Sequence, residues 1–399
     1  MTEKKEEKNK NEQKTFEIGT IVRVSDKYCE LKEMPNGSTS WEPRETQALK
    51  QDGFNFNTVE KYNSFTVEPD FQNYKPVINK WLNLFEPLAY EPIAGEFPTI
   101  KKLFNHIFGE QLQLGYDRFS LLLRYPKHLQ PILVLASNEQ ETGKSTFLRF
   151  QNYLFKGNSK IITIAEYSQK FNYVYATKLC INIDESIISE KFIKEKLKQD
   201  STCMEIQLRL MRSEYQTIPF YGKFTLCTNN ELDFAKIEDS DLRFWVRNPS
   251  KIEKFDSHFE EKLIKEIPCF LHFLLNRELS VPKAQSRMWF SKEQLETDAL
   301  RKVVENSISD CAKEILLFVE DKLETQAIFN ATATDLYELL DRKFLRNEII
   351  KALKDELSYK PSTPKYYNNF EGARKNGRVY EFNRTKTSEN TTEDDDDFF

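Results

Sequence analysis

A short run of residues suited to phosphate chemistry follows the apolar stretch 131–136: Thr142, Gly143, Lys144, Ser145 and Thr146. In a loop of this type, backbone N–H groups and the N-terminus of the next helix surround phosphate oxygens, while the lysine reaches the β- and γ-phosphates. The serine hydroxyl is a ligand for Mg²⁺. The run therefore predicts a binding site for ATP and Mg²⁺. The alternative is that Gly143 merely begins an ordinary helix.

One position departs from the usual phosphate-loop pattern G-x-x-x-x-G-K-[ST]. Asn138 stands where the pattern has its first glycine. After glycine, asparagine is the residue that best tolerates left-handed backbone geometry, so we expect Asn138 to form the first tight turn of the loop. The next three residues, 139–141, are Glu-Gln-Glu. An acidic loop predicts weaker binding of phosphate.

Two acids and an amide follow later apolar stretches. Asp184 and Glu185 come after residues 179–183, and Asn229 comes after residues 224–228. In nucleotide hydrolases an Asp in this position holds the metal ion, and a neighbouring Glu polarises the attacking water. The amide of Asn229 can orient that water. The competing interpretations are that the acids cap the next helix and that the amide forms a turn.

The segments around these residues alternate between strand and helix patterns, which predicts an α/β fold with a mostly parallel sheet flanked by helices. Before the first strand, two amphipathic segments at 99–108 and 112–125 predict a helical hairpin. After the last strand, apolar-rich helices over 259–279 close the unit. The strands are expected at 132–136, 161–164, 178–183 and 223–227.

The two ends of the chain have different patterns. Residues 16–31 alternate apolar and polar side chains, which predicts a β-hairpin. Residues 65–100 are rich in proline and predict an irregular connector with one helix near 77–85. Residues 327–383 show two helix patterns followed by two β patterns, an order typical of a winged helix. Between Arg342 and Lys386 there are twelve Lys or Arg against five Asp or Glu, a patch suited to phosphate backbones or an ordinary solvated face.

These patterns predict six regions. They are a disordered tail (1–15), an N-terminal β-hairpin and connector (16–98), a helical collar (99–128), a nucleotide-binding core (129–282), a helical and winged-helix domain (283–385) and an acidic disordered tail (386–399).

Composition excludes several classes of protein. No apolar stretch approaches the roughly 20 residues of a membrane span, and the first residues are mixed Lys, Glu and Asn, so we expect no membrane segment, signal peptide or transit peptide. The six cysteines form no C-x-x-C pair, and the four histidines lack metal-ligand spacing. We therefore expect reduced thiols and no zinc site.

The lysine loop, the Asp-Glu strand and the Asn strand occur in this order within residues 143–230. Together they resemble the superfamily 3 helicases of small DNA viruses, phages and plasmids, which are AAA+ P-loop NTPases. The likeness is greatest to the helicase portion of phage and poxvirus-type primase-helicases. It extends over roughly 60–300 and, more weakly, over 300–384. It implies a cytoplasmic protein of a bacterial host cell.

The resemblance also implies roles for four arginines. Arg209 and Arg212 lie near the tip of the hairpin expected at 205–220, where the family contacts single-stranded DNA; the alternative is two solvated arginines. Arg243, and after it Arg247, stands where the family has an arginine that reaches the nucleotide of a neighbouring subunit. Strand alternation would place both on one face.

Assembly and partners follow from the same likeness. The helical hairpin corresponds to the family's collar for ring assembly, which implies a homo-hexamer. The N-terminal region shows no primase signature, so a separate primase or polymerase is expected. The chain ends in four aspartates and Phe398-Phe399. This end is similar to the tips of single-strand-binding proteins and predicts docking on a replication protein; the alternative is a solvating tail.

The combined prediction is an ATP-dependent replicative DNA helicase of a phage or mobile element, which forms a ring and moves along single-stranded DNA. A second interpretation is a P-loop replication initiator or assembly ATPase that binds duplex DNA without unwinding it. A third is a host-defence or small-molecule NTPase with no nucleic-acid role.

Overall fold

The computed structural model describes residues 15–35, 37–184, 191–208, 216–232, 234, 237, 241–307, 309–357, 359–368 and 372–383. Glu185, Arg209, Arg212 and both expected tails beyond these limits lie outside the described residues. The chain divides into two compact units. The first extends to Arg301 except for residues 236–239, and the second combines 236–239 with residues from 302 onward.

The first unit begins with two small sheets. The expected hairpin is present as β1 (Ile21–Val24) and β2 (Lys27–Glu33), which β3 (Thr39–Arg44) and β4 (Lys61–Tyr62) extend in the order β3-β2-β1-β4. Between β3 and β4 lie helix α1 (Thr46–Gln51) and a short 3-10 turn (Phe56–Thr58). The second sheet has the order β5-β7-β6 and contains β5 (Ser64–Thr66), β6 (Val77–Ile78) and β7 (Trp81–Asn83).

The prediction of a helix near 77–85 is wrong, because β6 and β7 form an antiparallel hairpin there. The two residues between these strands, Asn79 and Lys80, have φ values of +49° and +66°. Two successive left-handed residues make the tight turn that joins antiparallel strands, and they cannot continue a right-handed helix.

Two helices follow, α2 (Pro98–Phe108) and α3 (Leu112–Arg124), close to the expected helical hairpin. Helix α2 begins with a proline and ends at Gly109, whose φ is +49°. A proline suits the first helical turn, and a left-handed glycine ends a helix without steric cost.

The remaining elements of the central part alternate as the sequence predicts. In chain order they are β8 (Ile132–Ala136), α4 (Lys144–Phe155), β9 (Ser159–Ile162), α5 (Ile164–Ser168), α6 (Tyr173–Ala176), β10 (Cys180–Ile183), α7 (Lys191–Asp200), β11 (Glu205–Leu208), β12 (Gln216–Pro219), β13 (Lys223–Thr228), β14 (Phe244–Arg247) and α8 (Phe259–Asn276). Strands β11 and β12 form a separate antiparallel hairpin.

Five of these strands make one parallel sheet in the order β14-β8-β13-β10-β9. The prediction of a parallel sheet with helical flanks is confirmed. Strand β13 lies between β8 and β10, so the two strands that carry the lysine loop and Asp184 are not neighbours. All residues of β8, β10, β13 and β14 are buried, as expected for a sheet covered on both faces.

Helices α2, α3 and α8 share one hydrophobic core with this sheet. At its centre, Phe104 of α2 is fully buried and contacts a group of aromatic rings: Phe108, Tyr116, Phe119, Phe147, Phe150 and Phe270. The helical hairpin is therefore part of the same hydrophobic body as the sheet.

Residues 283–301 also belong to the first unit, although the sequence placed the boundary at 282/283. The Trp289 N–H donates to the Leu129 carbonyl at 3.2 Å, and the Thr297 hydroxyl donates to the Val246 carbonyl at 2.8 Å. These contacts attach helix α9 (Lys292–Leu295) and the start of α10 (Asp298–Ser307) to the sheet.

The second unit has its own hydrophobic core. Its elements after α10 are α11 (Asp310–Thr325), β15 (Ile328–Ala331), α12 (Ala333–Leu339), α13 (Arg346–Lys351), a π-helical turn (Ala352–Glu356), β16 (Lys365–Asn368), β17 (Arg374–Gly377) and β18 (Tyr380–Asn383). Strand β15 pairs with β18, and β16 pairs with β17. The expected helix–helix–strand order is present, with β15 and β17 as additional strands. No helix among the described residues is long and apolar enough to cross a membrane.

Candidate functional site

The loop between β8 and α4 carries the residues of the expected phosphate site. Gly143 immediately precedes α4 and has a φ of +77°. A side chain there would be strained, and a Cβ would lie 3.1 Å from Ile252 Cδ1. The neighbouring Thr142 is buried, and its carbonyl lies 3.0 Å from His106 Nε2. Gly143 is therefore required by its backbone conformation and by its close surroundings.

Lys144 turns back over the loop that precedes it. Its Nζ donates to the Ser137 carbonyl at 2.8 Å and to the Glu139 carbonyl at 3.3 Å. Only 8% of the residue is exposed, and this burial lowers the pKa of Lys144. The loop thus encloses a cationic group next to the N-terminus of α4, where an anion is favoured.

Ser145 and Asp184 meet at the edge of the sheet where β8 and β10 end. The Ser145 Oγ donates to Asp184 Oδ1 at 3.3 Å, and the Asp184 N–H donates to the Ile162 carbonyl at 3.2 Å. The two residues predicted to bind metal are thus brought together from positions 39 apart in sequence. Within the described residues, no cluster of three His, Cys, Asp or Glu side chains could hold a metal.

Asn229 follows β13, the strand that separates β8 from β10, and its side chain is exposed. It therefore stands at the same edge as Ser145 and Asp184. Its neighbour Asn230 makes a local turn, since Asn230 Oδ1 accepts the Leu232 N–H at 3.2 Å. The turn interpretation thus applies to Asn230, while Asn229 lies beside the loop.

Asn138 does not have the left-handed conformation expected of it. Among the described non-glycine residues of this loop, the positive φ belongs to Glu141, at +58°. Asn138 instead pairs with Glu231: its N–H donates to Glu231 Oε1 at 2.7 Å, and its Oδ1 accepts the Glu231 N–H at 3.3 Å. The asparagine side chain connects the β8–α4 loop to the segment after β13.

The acidic residues of the loop are also bound to the rest of the protein. Glu139 Oε2 accepts the Lys251 N–H at 3.1 Å, and the Glu141 carbonyl accepts the Ile252 N–H at 3.0 Å. Lys251 Nζ lies 3.4 Å from Glu141 Oε2. These contacts, and those of His106 and Glu231, were missed from the sequence, where no pattern links positions so far apart.

The two candidate arginines lie at opposite ends of β14. Arg243 precedes the strand, and its Nε and Nη2 donate to the Asp241 carboxylate at 2.6 and 2.8 Å. Arg247 ends the strand, is buried, and donates from Nη1 to Glu110 Oε1 at 2.5 Å. This hydrogen bond lowers the pKa of Glu110. Within this chain, neither guanidinium is bonded to the β8–α4 loop in the described contacts.

The fold and these residues can be compared with known proteins. A sequence family described as a family of unknown function (DUF5906) matches residues 135–244, the segment from β8 to β14. No curated protein matches the chain.

Solved structures resemble a larger part of the chain than this family does. The chain resembles the C-terminal region of NrS-1. One apo structure of that region (305–718) is 17% identical with a TM-score of 0.59, over 86% of this chain and 84% of the other. The A form apo structure is 16% identical with a TM-score of 0.64, over 90% and 96%. A further A form structure gives 16% and 0.62, over 90% and 95%. At 16–17% identity, this likeness is evidence of a similar fold.

Proposed function

We propose that the chain is an ATP hydrolase that acts as a replicative DNA helicase of a phage or mobile element, assembled as a ring on single-stranded DNA. The observation that carries the proposal is the contact between Ser145 Oγ and Asp184 Oδ1, beside the ammonium of Lys144. Two oxygen ligands next to a lysine, in front of a helix N-terminus, are the groups that a magnesium nucleotide requires.

The residues fit ATP and Mg²⁺. Gly143 allows the backbone N–H groups to approach phosphate oxygens closely, and the Lys144 ammonium can exchange the Ser137 and Glu139 carbonyls for phosphate oxygens. Ser145 and Asp184 would hold Mg²⁺, which neutralises phosphate charge when bound. Burial around Lys144 strengthens its attraction for an anion, because the local dielectric is lower than in water.

Hydrolysis in this site requires a positioned water. In the proposed reaction the water attacks the γ-phosphorus, the bond to the bridging oxygen breaks, and Glu185 accepts the proton. The exposed amide of Asn229 at the tip of β13 orients the water. Glu185 directly follows Asp184 in the sequence, and the proposal assigns it the role of general base.

A role for Arg243 requires a second subunit. Strand β14 is parallel to β8 with Phe244 opposite Ile132, so Arg243 lies at the amino end of the sheet while Lys144 follows the carboxyl end of β8. Arg243 therefore cannot serve the site of its own chain. In a homo-hexamer it would leave Asp241 and stabilise charge in the neighbouring site.

The antiparallel pair β11–β12 supplies the support for DNA contact. This hairpin leads to Arg209 and Arg212, which we propose contact the phosphates of the single strand. Hydrolysis then moves the hairpin. Priming or synthesis is assigned to a separate primase or polymerase, on which the acidic Phe-Phe tail docks.

The second unit favours a second candidate function, binding of duplex DNA by an initiator or assembly ATPase. Its element order fits a winged helix with α13 as the recognition helix. On α13 the side chains of Arg346, Asn347 and Ile350 are exposed. Arginine and asparagine read base edges in the major groove, and the exposed Arg374 lies over the ring of Tyr366 at 5.0 Å on the β16–β17 hairpin.

ATPase rates with and without single-stranded DNA, together with strand displacement on forked duplexes, test both candidates. The helicase proposal expects DNA-stimulated hydrolysis, unwinding and a hexameric mass in ATP, all lost in Lys144→Ala and kept in the exposed-lysine control Lys160→Ala. Intact ATPase activity in Lys144→Ala would overturn the proposed site. Duplex binding through Arg346 and Asn347 without unwinding would favour the initiator, and no effect of DNA would exclude both.

A further inference from the structure

A cavity lies in the first unit, between the two small N-terminal sheets and the start of β10. Its volume is about 270 Å³. Trp41, Tyr74 and Tyr173 contribute aromatic side chains to its wall, and Glu86 and Lys178 contribute charged ones. A few convergent polar groups within an aromatic wall are typical of a small-molecule pocket, and this volume is close to the lower end of the usual range.

The cavity is separate from the proposed ATP site. Lys178 precedes β10, whereas Asp184 follows it. Because the strands of this sheet are parallel, the β8–α4 loop and Asp184 share the carboxyl edge, and the cavity lies toward the amino edge. A ligand in the cavity would therefore not occupy the phosphate-binding residues.

The backbone of Glu86 is fixed in the cavity wall, and this places its carboxylate there. The Glu86 N–H donates to Asn158 Oδ1 at 2.9 Å, and Asn158 Nδ2 donates to the Glu86 carbonyl at 2.8 Å. Its side chain packs against Gly157, where an added Cβ would lie 1.8 Å from Oε1. The Thr39 N–H donates to Oε1 at 3.4 Å. A carboxylate has about four acceptor positions, so it can accept further donors.

The ammonium of Lys178 stands near this carboxylate. Its Nζ donates to the Gly157 carbonyl at 2.6 Å, the same residue against which Glu86 packs. An ammonium carries three donors, so it can also bind a ligand oxygen. Burial raises the pKa of Glu86 and lowers that of Lys178, and each charge partly offsets the effect on the other. The Glu86 carboxylate, which accepts, and the Lys178 ammonium, which donates, therefore lie near each other where water is partly excluded.

The chemistry of this wall selects a ligand class. Aromatic side chains stack on planar heterocycles. A carboxylate accepts two adjacent N–H donors, while an ammonium donates to a carbonyl oxygen. Guanine presents N1–H and N2–H donors next to O6 on one edge. Adenine has no carbonyl oxygen there, and cytosine has no second donor beside its exocyclic amine. We propose that this pocket binds a guanine base.

Nucleosides test the proposal directly, because they lack the phosphates that the β8–α4 loop would bind. Saturable quenching of tryptophan fluorescence by guanosine is expected, and Trp41→Phe should reduce this quenching. Inosine, which lacks the N2 amino group, should bind about tenfold more weakly for the loss of one hydrogen bond to a carboxylate. Adenosine should bind more weakly still. Equal affinity for the three nucleosides, or no binding at millimolar concentration, would overturn the proposal.

A matched pair of variants ties the binding to the pocket. Glu86→Gln keeps the size of the side chain and an acceptor for Thr39, and it should weaken guanosine binding at least tenfold. Glu91→Gln changes an exposed carboxylate outside the pocket and should have no effect. ATP hydrolysis without DNA should be unchanged in both variants, so failure here is distinguishable from failure of the proposed ATPase. Unchanged guanosine binding in Glu86→Gln would contradict the assignment.

Two sources could supply the base, a free nucleoside or a single strand. An oligothymidylate with one internal guanosine separates them when compared with plain oligothymidylate. Tighter binding of the guanosine-containing strand, lost in Glu86→Gln, identifies a base in the strand. Equal binding of both strands, with guanosine still selected over adenosine, identifies the free nucleoside. Either result supports a guanine pocket.

Discussion

Asn138 and Glu231 bind each other through two hydrogen bonds, although they lie 93 positions apart in the chain. The bond from the Asn138 N–H to Glu231 Oε1 is 2.7 Å, and the return bond from the Glu231 N–H to Asn138 Oδ1 is 3.3 Å. A glycine at position 138 would keep the first and lose the second. The asparagine therefore connects the β8–α4 loop to the tip of β13, where Asn229 stands.

The Asn138–Glu231 pair should affect turnover more than nucleotide binding. Asn138→Gly, which restores the common phosphate-loop residue, and Glu231→Ala should each lower kcat for ATP about three- to tenfold with little change in KM, since one hydrogen bond contributes about 1 kcal/mol. Steady-state ATPase kinetics check this, with the exposed Glu253→Ala as control. A higher kcat in Asn138→Gly would show that the pair has no positioning role.

Asp184→Asn should separate nucleotide binding from hydrolysis. The amide keeps an oxygen near Ser145 Oγ but removes the charge that attracts Mg²⁺. Hydrolysis should fall about a hundredfold or more, because a metal ligand contributes several kcal/mol to the transition state, while the nucleotide still binds through Lys144. Mg²⁺ titrations of the ATPase rate and fluorescent-nucleotide binding measure the two effects. Asp321→Asn, at an exposed aspartate of α11, is the control; equal rates in both variants would exclude Asp184 as a ligand.

Arg243 can be tested by mixing variants. Lys144→Ala lacks its own site, and Arg243→Ala lacks the residue given to a neighbour, so each alone should be inactive. Rings assembled at random from equal amounts of the two variants should regain roughly a quarter of wild-type ATPase activity. Roughly a quarter of their interfaces combine an intact Lys144 with an intact Arg243 from the neighbouring subunit. Arg247→Ala, which removes an intrachain ion pair with Glu110, should not be rescued by mixing. A mixture as inactive as its parents would contradict a role in trans.

Lys223 should make the free energy of unfolding depend on pH in the alkaline range. The residue is buried, donates to the Pro126 and Tyr221 carbonyls at 2.8 and 2.6 Å, and burial lowers its pKa to about 7. Above pH 7 the unfolded chain holds more protons at this group than the folded chain. The free energy of unfolding therefore rises with pH from about 7 toward the ordinary value near 10.5, by at most about 1.4 kcal/mol per pH unit.

Thermal unfolding of wild type and Lys223→Met at pH 7 and 9 checks this dependence. The midpoint of the wild type should rise relative to that of the variant between the two pH values. In the variant, the Pro126 and Tyr221 carbonyls lose their donor at both pH values, so this loss cannot produce a difference that changes with pH. Lys160→Met, at an exposed position, should follow the wild type. A difference that stays constant with pH would show that Lys223 keeps its ordinary pKa.

The local patterns of the sequence were good guides to elements. Residues 132–136 form β8 as predicted, because five successive buried apolar residues suit a strand covered on both faces. The helix expected after the Gly143 loop is present as α4, which begins directly after Gly143. Local reasoning failed at 77–85, where Asn79 and Lys80 are both left-handed and make a turn. Asparagine tolerates this geometry, but lysine gives no sign of it.

Contacts between distant polar residues could not be predicted in the same way. The sequence suggested left-handed geometry for Asn138, but the structure uses its side chain to hold Glu231. The sequence also could not show that Arg243 pairs with Asp241 and Arg247 with Glu110. The partner of an exposed polar side chain depends on which loops meet in space, and residue type alone does not encode this.

The sequence by itself therefore determined the alternating strands and helices, the glycine-lysine loop and the acid after β10, because hydrophobic periodicity and backbone preference act over a few residues. The tertiary structure alone decided the order β14-β8-β13-β10-β9, which brings Ser145 to Asp184 and places Asn229 beside them. Tertiary packing also forms the cavity beside Glu86. These arrangements depend on the packing of buried faces from distant segments, and that packing is a property of the whole folded chain.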